Sequence, residues 1–318
     1  MKHLPKAGLI CLALSAGVSS ASAADIVIAQ PNWPSAAVTA NVMKVIIEEN
    51  LGLSVELQNG NNAVIFEAMD GGSMHVHPEV WLPNHQNFHD TYVEEKKTVK
   101  PSRHEVEAVI GICVPRAFGE ANNITSIEDL TDPAIAALFD TDGDGKGELY
   151  IGQTGWSSSN VERIRAKSYG YQETMEMVEM DEALAYVNLN NASQSGGAWV
   201  GSCYTPHYVF AQNDLLILKE PEHDASQWNV LQPTDDPNWL ENSSAPVGWP
   251  AAFIRPYFAT ALEESFPEVA SLIFNMALDS DTISAMTLAV ASEKQDPAEY
   301  AKKWVSDNND RVLGWLAD

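Results

Sequence analysis

DIVIAQPNWPS, residues 25–35, is the stretch of sequence that decides the fold. Its first six residues predict a buried strand, PNWP at 31–34 predicts a turn, and residues 35–50 have a helical pattern. A strand, a turn and a helix in this order begin an α/β unit. The alternation continues along the chain, with strands predicted at 54–57, 74–77, 149–151 and 198–201 and helices at 63–70 and 158–169. The sequence therefore predicts an α/β protein.

The N-terminal residues predict export. Lys2 and Lys6 precede an apolar run at 7–18, and Ala21-Ser22-Ala23 follows it, which is the pattern of a cleaved secretory signal peptide. The run is shorter than the roughly 20 residues that span a bilayer. We therefore expect a signal peptide at residues 1–23 and a mature periplasmic protein that is not embedded in the membrane.

The length of the mature chain predicts two lobes, because about 295 residues are more than one hydrophobic core usually serves. The apolar run at 106–114, ended by Pro115, and the proline-bounded segment at 245–256 are the predicted crossings between the lobes. This assigns residues 24–114 plus 245–318 to lobe one and residues 115–244 to lobe two. The cleft between two such lobes is a common place for a small ligand.

The charge of the chain restricts its partners. The net charge is −26, and loss of the two leader lysines takes it to −28. A field of this sign opposes binding to nucleic acid and favours cationic or zwitterionic small molecules over anions. High solubility explains the same charge equally well.

Three of the nine tryptophans follow predicted strands, namely Trp33, Trp81 and Trp156. Ligands of open α/β sheets gather at the carboxyl ends of strands, so three large rings at such positions predict a binding site. Trp199 is a fourth candidate ring, although its own strand could bury it, and Tyr204, Glu79 and Ser157 are further candidate ligand-binding residues. Aromatic faces attract a cation whose charge is spread over methyl groups, by roughly 0.5–2 kcal/mol for each contact. The sequence therefore predicts a tryptophan cage for a small methylated amine.

Two further features concern the polar end of such a ligand. Ser157 and the residues after it predict a helix N-terminus beside Trp156, whose N–H groups could hold a carboxylate or an N-oxide oxygen. An ordinary capped helix is an equal alternative. Glu79 lies close to Trp81, and no Lys or Arg lies near the three rings in sequence. Because a buried carboxylate needs donors or a cation, this favours trimethylamine N-oxide or choline over glycine betaine.

Three segments resemble a known family: HPEVWLPNH at 77–85, Val114-Pro115 before residues 124–130, and YTPH at 204–207. The chain is similar to the glycine betaine/choline-type substrate-binding proteins of ABC transporters, and its acidic loop resembles that of members that bind trimethylamine N-oxide. The resemblance implies a two-lobed, type II-like periplasmic-binding fold that closes on its ligand. It also implies a permease and an ATPase on other chains as partners, and an aromatic box at Trp33, Trp81, Trp156 and Trp199.

The acidic loop DTDGDGKGE at 140–148 predicts a structural calcium ion. Asp140, Asp142 and Asp144 stand at positions 1, 3 and 5 of the front half of an EF-hand loop, but position 12 is Ile151 instead of Glu. Glu148, the carbonyl of Lys146, water or a distant carboxylate would have to complete the set. A solvated acidic turn is the alternative.

The cysteines predict a disulfide. Cys113 and Cys203 are the two that remain after cleavage, and an oxidising compartment favours their bond. Two buried thiols are the alternative.

Two other classes of function have weaker support. A transition-metal receptor would use His75, His77, His85 and His89, since imidazole suits zinc and copper, but no cysteine cluster joins them. An enzyme would need a nucleophile or a metal-bound water, and neither G-x-S-x-G nor H-E-x-x-H occurs. The sequence therefore favours a binding protein.

Overall fold

The computed structural model describes residues 24–317, so the predicted signal peptide lies outside the described residues. Ten strands within these described residues form one curled, mixed sheet. The strands are β1 (Ile26–Gln30), β2 (Val55–Asn59), β3 (Val76–Leu82), β4 (Val99–Pro101), β5 (Val106–Pro115), β6 (Gly147–Gly152), β7 (Met175–Glu179), β8 (Gly201–Thr205), β9 (Leu215–Ile217) and β10 (Ala252–Ala259). The α/β class predicted from the sequence is confirmed.

Helices cover the faces of the sheet. The α-helices are α1 (Pro34–Ile46), α2 (Asn62–Asp70), α3 (Gln86–His89), α4 (Arg116–Ala121), α5 (Pro133–Ala136), α6 (Ser157–Tyr169), α7 (Glu182–Ser195), α8 (Val209–Gln212), α9 (Trp239–Asn242), α10 (Leu262–Ser265), α11 (Pro267–Asn275), α12 (Ser280–Thr287), α13 (Pro297–Asp307) and α14 (Asn309–Leu316). The π-helical turns are Ile47–Leu51, Asp90–Glu95 and Leu288–Ser292, and the 3-10 turns are Ile127–Thr131, Tyr171–Glu173 and Ala225–Gln227. None of the helices in residues 24–317 has the length and apolar character that crossing a bilayer requires.

The sheet has two halves that share β5. The strand order is β2-β1-β3-β10-β5-β8-β6-β7, with β4 paired to β10 and β9 paired to β5. Residues 106–108 of β5 pair with β10, whereas residues 109–113 pair with β8 and residues 113–115 with β9. The change of partners therefore falls inside β5, ahead of the lobe boundary predicted at Val114. We call β1–β4 with β10 the first half, and β6–β9 the second half.

Each half has its own apolar core. In the first half, α1 packs between β1 and β3 on one side and the C-terminal helices on the other, and most of its residues are therefore buried. In the second half, Leu149 and Ile151 of β6 pack with Tyr171 in one buried cluster, to which α6 also contributes. A third apolar cluster contains Trp33, Trp81 and Tyr204 and has members from both halves. This third cluster holds the candidate site.

A disulfide joins β5 to β8. Cys113 and Cys203 are bonded, with their Cα atoms 6.0 Å apart, so the predicted disulfide is confirmed. Cys203 pairs in register with Gly111, two residues before Cys113, which makes the bond a diagonal one between neighbouring strands. It fixes β8 against the strand that both halves share.

Several element predictions were wrong in extent. β3 continues to Leu82, so Trp81 lies within a strand instead of after it. The strand predicted at 198–201 is β8 at Gly201–Thr205, which places Trp199 before it. The prediction stopped β3 early because its second part is HPEVW, and His77 and Glu79 are polar yet buried. Polar residues inside a strand are found in a core only when hydrogen bonds satisfy them, and sequence does not show those bonds.

Candidate ligand-binding pocket

A pocket lies where the two halves of the sheet meet. The first half supplies part of its wall, with Trp33, Asn62, Trp81, Asn84 and His85. The other residues come from β5 and the second half: Ile110, Trp156, Ser157, Ser158, Ser202 and Tyr204. The pocket is therefore complete only when both halves contribute.

Four aromatic rings form the apolar part of the wall. The rings of Trp33 and Trp156 meet edge to face, with centroids 6.3 Å apart and planes at 87°. Trp81 and Tyr204 meet in the same way at 5.1 Å and 82°, and Trp156 contacts Tyr204 at 6.4 Å. Edge-to-face pairs hold ring faces at right angles, so faces from different directions are available to one ligand. Such a set of faces suits a methylated cation.

Trp33 is fixed from behind by Glu79. Trp33 is the N-cap residue of α1, and its Nε1–H donates to Glu79 Oε2 at 2.8 Å. The Ser35 hydroxyl donates to the same carboxyl, 2.7 Å from Oε2. Burial raises the pKa of the Glu79 carboxyl to about 7, although the two hydrogen bonds oppose the shift. The structure thus places Glu79 one layer behind the ring and not among the residues that line the pocket, where it was predicted to contact the ligand.

Tyr204 has a similar support on the opposite side. Its hydroxyl donates to Glu182 at the start of α7, and the Glu182 side chain is buried. His207 Nε2 lies 3.8 Å from the same carboxyl. Burial raises the pKa of Glu182 to about 8 and lowers the pKa of His207 to about 3. The carboxyl therefore has a neutral imidazole beside it at physiological pH and no positive charge from that ring.

His85 and Asn62 give the pocket its polar lining on the first half. Trp81 N–H donates to His85 Nδ1 at 3.2 Å, so the ring proton of the neutral imidazole is on Nε2. Burial lowers the pKa of His85 to about 3, which keeps the ring neutral. Asn62 Oδ1 lies 3.1 Å from His77 Nε2, while His77 Nδ1 accepts from Glu79 N–H. These bonds orient both imidazoles.

The N-terminus of α6 opens into the pocket beside Trp156. Ser157 and Ser158 begin this helix of thirteen residues, and both line the pocket. Trp156 precedes them in extended conformation as the N-cap residue. Gly152 has a φ of +118°, and a Cβ there would lie 3.0 Å from the Trp156 ring, so only glycine lets the strand end approach this closely. Free N–H groups at a helix start suit a negatively charged or dipolar oxygen.

Hydrogen bonds also connect the two halves around the pocket. Trp156 Nε1–H donates to Asn32 Oδ1 at 3.0 Å, between residues 124 positions apart in sequence. At the surface, Asn87 Nδ2 donates to Thr234 Oγ1 at 3.1 Å and to Asp235 Oδ1 at 3.0 Å. The same indole that presents a ring face to the pocket thus also joins the halves.

Trp199, which was predicted to join the ring set, is not among the residues that line the pocket. Its ring packs 6.3 Å from Tyr150 and 6.4 Å from Tyr186, in the core of the second half. A Cβ on Gly201 would lie 2.8 Å from the Trp199 ring, which shows how closely the indole covers the start of β8. Tyr204, further along the strand, supplies the ring that Trp199 was expected to give.

Residues 24–307 match the family model described as the substrate binding domain of the ABC-type glycine betaine transport system. The chain belongs to this family. Its members are ligand-binding components of ABC transporters, and the resemblance inferred from the sequence is confirmed.

Individual relatives of the family extend the comparison. The trimethylamine N-oxide-binding protein of Pelagibacter ubique (strain HTCC1062) is 25% identical over 312 residues, which cover 96% of this chain and 95% of that protein. The structure of an ABC-transporter choline-binding protein in complex with choline has a TM-score of 0.72 at 18% identity, and the match covers 92% of this chain and 91% of that one. Lactococcal OpuAC, in its closed-liganded conformation with glycine betaine, has a TM-score of 0.68 at 21% identity, with 92% and 98% covered. These structures establish the two-lobed fold of this chain.

The acidic loop between α5 and β6 brings carboxylates together in two groups. Ligand oxygens of Asp140, Asp142 and Glu148 lie within 4.8 Å of one another, and so do those of Asp142, Asp144 and Glu176. Glu176 is on β7, a strand that the sequence did not predict, so it could not have been named beforehand. Within the loop, Asp140 accepts from Gly143 N–H and Gly145 N–H. The Lys146 ammonium donates to the Gln172 carbonyl at 2.9 Å.

The histidines considered for a metal site have other partners. His75 Nδ1 accepts from Val27 N–H at 2.8 Å, and His89 Nδ1 lies 2.7 Å from the Tyr257 hydroxyl. His77 and His85 are engaged as described above. The groups in residues 24–317 with metal-ligand spacing contain carboxylates only.

Proposed function

We propose that this protein is the periplasmic receptor of an ABC importer and that it binds trimethylamine N-oxide or a similar small methylated amine. The observation that carries the proposal is the set of four rings, Trp33, Trp81, Trp156 and Tyr204, which lines one pocket from both halves. The residues described as lining this pocket include no Lys or Arg. Attraction to ring faces is therefore the means by which the pocket would hold a cation.

The polar residues fit the other end of such a ligand. His85 holds its ring proton on Nε2, since Nδ1 accepts from Trp81 N–H. Nε2–H could therefore donate to the oxygen of an N-oxide, and the start of α6 at Ser157 and Ser158 offers further N–H groups. The trimethylamine N-oxide-binding relative supports the same ligand class.

Glycine betaine or choline is the second candidate. The N-terminus of α6 would accommodate a carboxylate without a Lys or Arg, because backbone N–H groups and the helix dipole favour an anion there. The two solved structures with choline and glycine betaine have the same fold. An enzyme or a transition-metal receptor has no comparable support, and we expect no product from trimethylamine N-oxide incubated with the protein.

Calorimetric titration tests the ligand class directly. We expect trimethylamine N-oxide, choline, glycine betaine and carnitine to differ in affinity, with trimethylamine N-oxide binding most tightly and at least micromolar in Kd, as three or four cation–π contacts allow. Absence of binding by all four ligands would contradict the proposal. Tighter binding of glycine betaine would favour the second candidate.

Partners and movements follow from this role. The ligand-loaded protein would deliver its ligand to a permease and an ATPase carried on other chains. Lobe one (24–114 plus 245–318) and lobe two (115–244) would close around the ligand, because the ring set is shared between them. Export by the predicted signal peptide would place the receptor in the periplasm.

We also propose a structural calcium ion in the acidic loop. Asp140, Asp142, Asp144 and Glu148 would provide carboxylate oxygens, Glu176 would be the distant carboxylate, and the Lys146 carbonyl could complete the set. Oxygen ligands of this kind are those that calcium prefers, and carboxylates this close repel one another without a cation. The ion would brace the loop against β7, away from the pocket.

A further inference from the structure

Two buried carboxyls stand behind the aromatic wall on opposite sides of the pocket. Glu79 accepts from the Nε1–H of Trp33, 2.8 Å away, in the first half. Glu182 accepts from the hydroxyl of Tyr204 in the second half. Each carboxyl therefore contacts the polar edge of a ring whose side lines the pocket. The two lie one ring away from any ligand.

Neither carboxyl has a cationic partner in the part of the chain that the structure describes. No Lys or Arg nitrogen of residues 24–317 lies within 4.0 Å of Glu79 or Glu182. Arg255, which lines a second pocket together with Glu79, is paired with Glu105 at 3.4 Å. One Glu182 oxygen, Oε2, is buried without any hydrogen-bond partner among these residues. A buried carboxylate left in this condition is costly unless a positive charge arrives from elsewhere.

A third buried carboxyl shows the contrast. Glu162 also accepts from a tryptophan, Trp249 Nε1–H, at 3.0 Å. This carboxyl lies 3.5 Å from the guanidinium of Arg165, which is itself fully buried. Trp249 does not line the ring-walled pocket. The chain thus supplies a counter-charge for the buried carboxyl away from the pocket and none for the two beside it.

We propose that Glu79 and Glu182 are the counter-charges of the ligand cation, acting through Trp33 and Tyr204, and that they set the preference for a positive charge over an uncharged group of the same shape. The inference rests on the proposed function and names two specificity-determining residues for it. A carboxylate that accepts a hydrogen bond from an indole N–H or a phenol O–H makes the face of that ring more negative, so the face attracts a cation more strongly. Hydrogen bonds in a low-dielectric site also strengthen one another. Both carboxylates also attract the cation directly through the ring.

The titration of the two groups provides a second signature. Burial raises the pKa of Glu79 to about 7 and that of Glu182 to about 8, so a bound cation would favour the ionised forms near neutral pH. Preference for a cation should therefore rise with pH. The polar and titratable groups near Glu79 are Trp33, Ser35, Thr39, His77, His104 and Arg255. Those near Glu182 are Tyr150, Gln153, Asp181, Tyr186, Tyr204, His207, Tyr208 and Glu79 itself.

The experiment compares each cation with its uncharged carbon isostere. Choline is paired with 3,3-dimethylbutan-1-ol and trimethylamine N-oxide with tert-butanol, and the affinities are measured by competition calorimetry at pH 8.5. We expect Glu79→Gln and Glu182→Gln each to bind choline roughly ten- to fiftyfold more weakly than the wild type. Each substitution removes one negative charge about 7 Å from the ligand cation, in a medium of intermediate dielectric. The affinity for the uncharged isostere should change less than about threefold, since this ligand carries no charge for the carboxylate to attract. Glu107→Gln is the matched control, because Glu107 is exposed on β5.

The ratio of cation to isostere affinity separates a charge effect from structural damage, which weakens both ligands alike. Folded Gln variants with the wild-type ratio would overturn the proposal. If either variant does not fold, the wild-type protein gives the test from pH 5.5 to pH 9: the ratio should rise with pH, and a constant ratio would overturn the proposal. Wild-type protein that binds none of the methylated amines would instead contradict the proposed function.

Discussion

Trp156 combines three roles that usually belong to separate residues. It is the N-cap residue of α6, its ring meets Trp33 and Tyr204 edge to face, and its Nε1–H donates to Asn32. The backbone role needs no particular side chain, because the cap has no side-chain hydrogen bond. The ring role and the hydrogen bond can therefore be removed one at a time.

Trp156→Ala should weaken the binding of methylated amines by roughly 0.5–2 kcal/mol, and by more if the cage is fully desolvated, because one ring face is lost. Trp156→Phe should cost less, since a poorer ring face remains while the bond to Asn32 is gone. Calorimetric titration of the folded protein measures both. Trp199→Phe is the matched control, because that ring packs against Tyr150 and Tyr186. Folded Trp156→Ala protein with wild-type affinity for every ligand would contradict the cage.

The four rings that line the pocket were all candidates from the sequence, and the inclusion of Trp199 beside them has a definite cause. Trp33 and Trp156 follow their strands as expected, since Pro34 and the serines after Trp156 mark the starts of helices. On β8 the start of the strand was placed three residues too early. Side chains of a strand alternate between its faces, so Ser202 and Tyr204 line the pocket together. The sequence of this strand has no turn residue that fixes where pairing begins.

At the scale of single elements, the loop before β6 holds the carboxylates of the proposed calcium site. Asp142 belongs to both groups of carboxylates, so it is the residue whose loss should affect an ion most. Backbone N–H groups of the loop satisfy some of these oxygens, as the N–H of Asp144 does for Asp142. A cation would relieve the remaining repulsion between the carboxylates.

Calcium should raise the melting temperature of the wild-type protein, because an ion that binds only the folded state stabilises it by about 2.7 kcal/mol at a hundred times its Kd. Asp142→Asn should abolish most of this increase while leaving the melting temperature in chelator little changed. Thermal melts in calcium and in chelator, with metal analysis of the purified protein, measure the effect. Glu107→Gln should respond to calcium as the wild type does. Equal melts with and without chelator, and no bound ion, would exclude the calcium site.

Element prediction succeeded where apolar residues or turn residues marked the ends, and failed where they did not. The helix at 157–169 was predicted to within one residue, since serines mark its first turn and Gly170 ends it with a φ of +93°. β7 was missed because its sequence, MEMVE, alternates charge with apolar residues at half-buried positions. Its neighbour β6 lies parallel to it and is mostly buried, and that tertiary pairing decides the conformation of β7.

At the scale of the whole molecule, two cores share one strand. The need for two cores follows from chain length, which is why two lobes were predictable. The register that transfers β5 from β10 to β8 within a single strand was not predictable, because its residues read as one apolar run interrupted only by Glu107. The lobe boundaries at 114 and 245 remain predictions.

The buried carboxyls should give the ligand-free protein a characteristic dependence of stability on pH. The folded state holds a proton on Glu182 up to about pH 8, whereas the unfolded chain releases it near its ordinary pKa of 4.5. The contribution of Glu182 to the free energy of unfolding is therefore fully present below pH 4.5. It is lost as the pH rises toward 8, by up to about 1.4 kcal/mol per pH unit. His85 and His207 are buried in the neutral form, with pKa values of about 3, so they have the opposite effect: they lower the free energy of unfolding as the pH falls below about 6.5.

Glu182→Gln removes the carboxyl and should gain stability relative to the wild type as the pH increases from 5 to 8. Urea unfolding of both proteins without ligand, at each pH unit across this range, measures the difference in the free energy of unfolding. Glu107→Gln should follow the wild-type curve. If Glu182→Gln also runs parallel to the wild type from pH 5 to 8, Glu182 does not retain its proton in the folded state.

The bond between Trp156 and Asn32 also affects how such a receptor can diverge. Trp81 contacts the second half through its ring against Tyr204 and makes no side-chain hydrogen bond to that half within residues 24–317, so a change there alters the fit of the ligand and one apolar contact. A change at Trp156 alters the fit and the connection between the halves together, since one side chain serves both. Lineages that acquire new substrates should therefore vary first at Trp81. Trp156 should stay unchanged, because selection acts on both its ring contact with the ligand and its bond to Asn32.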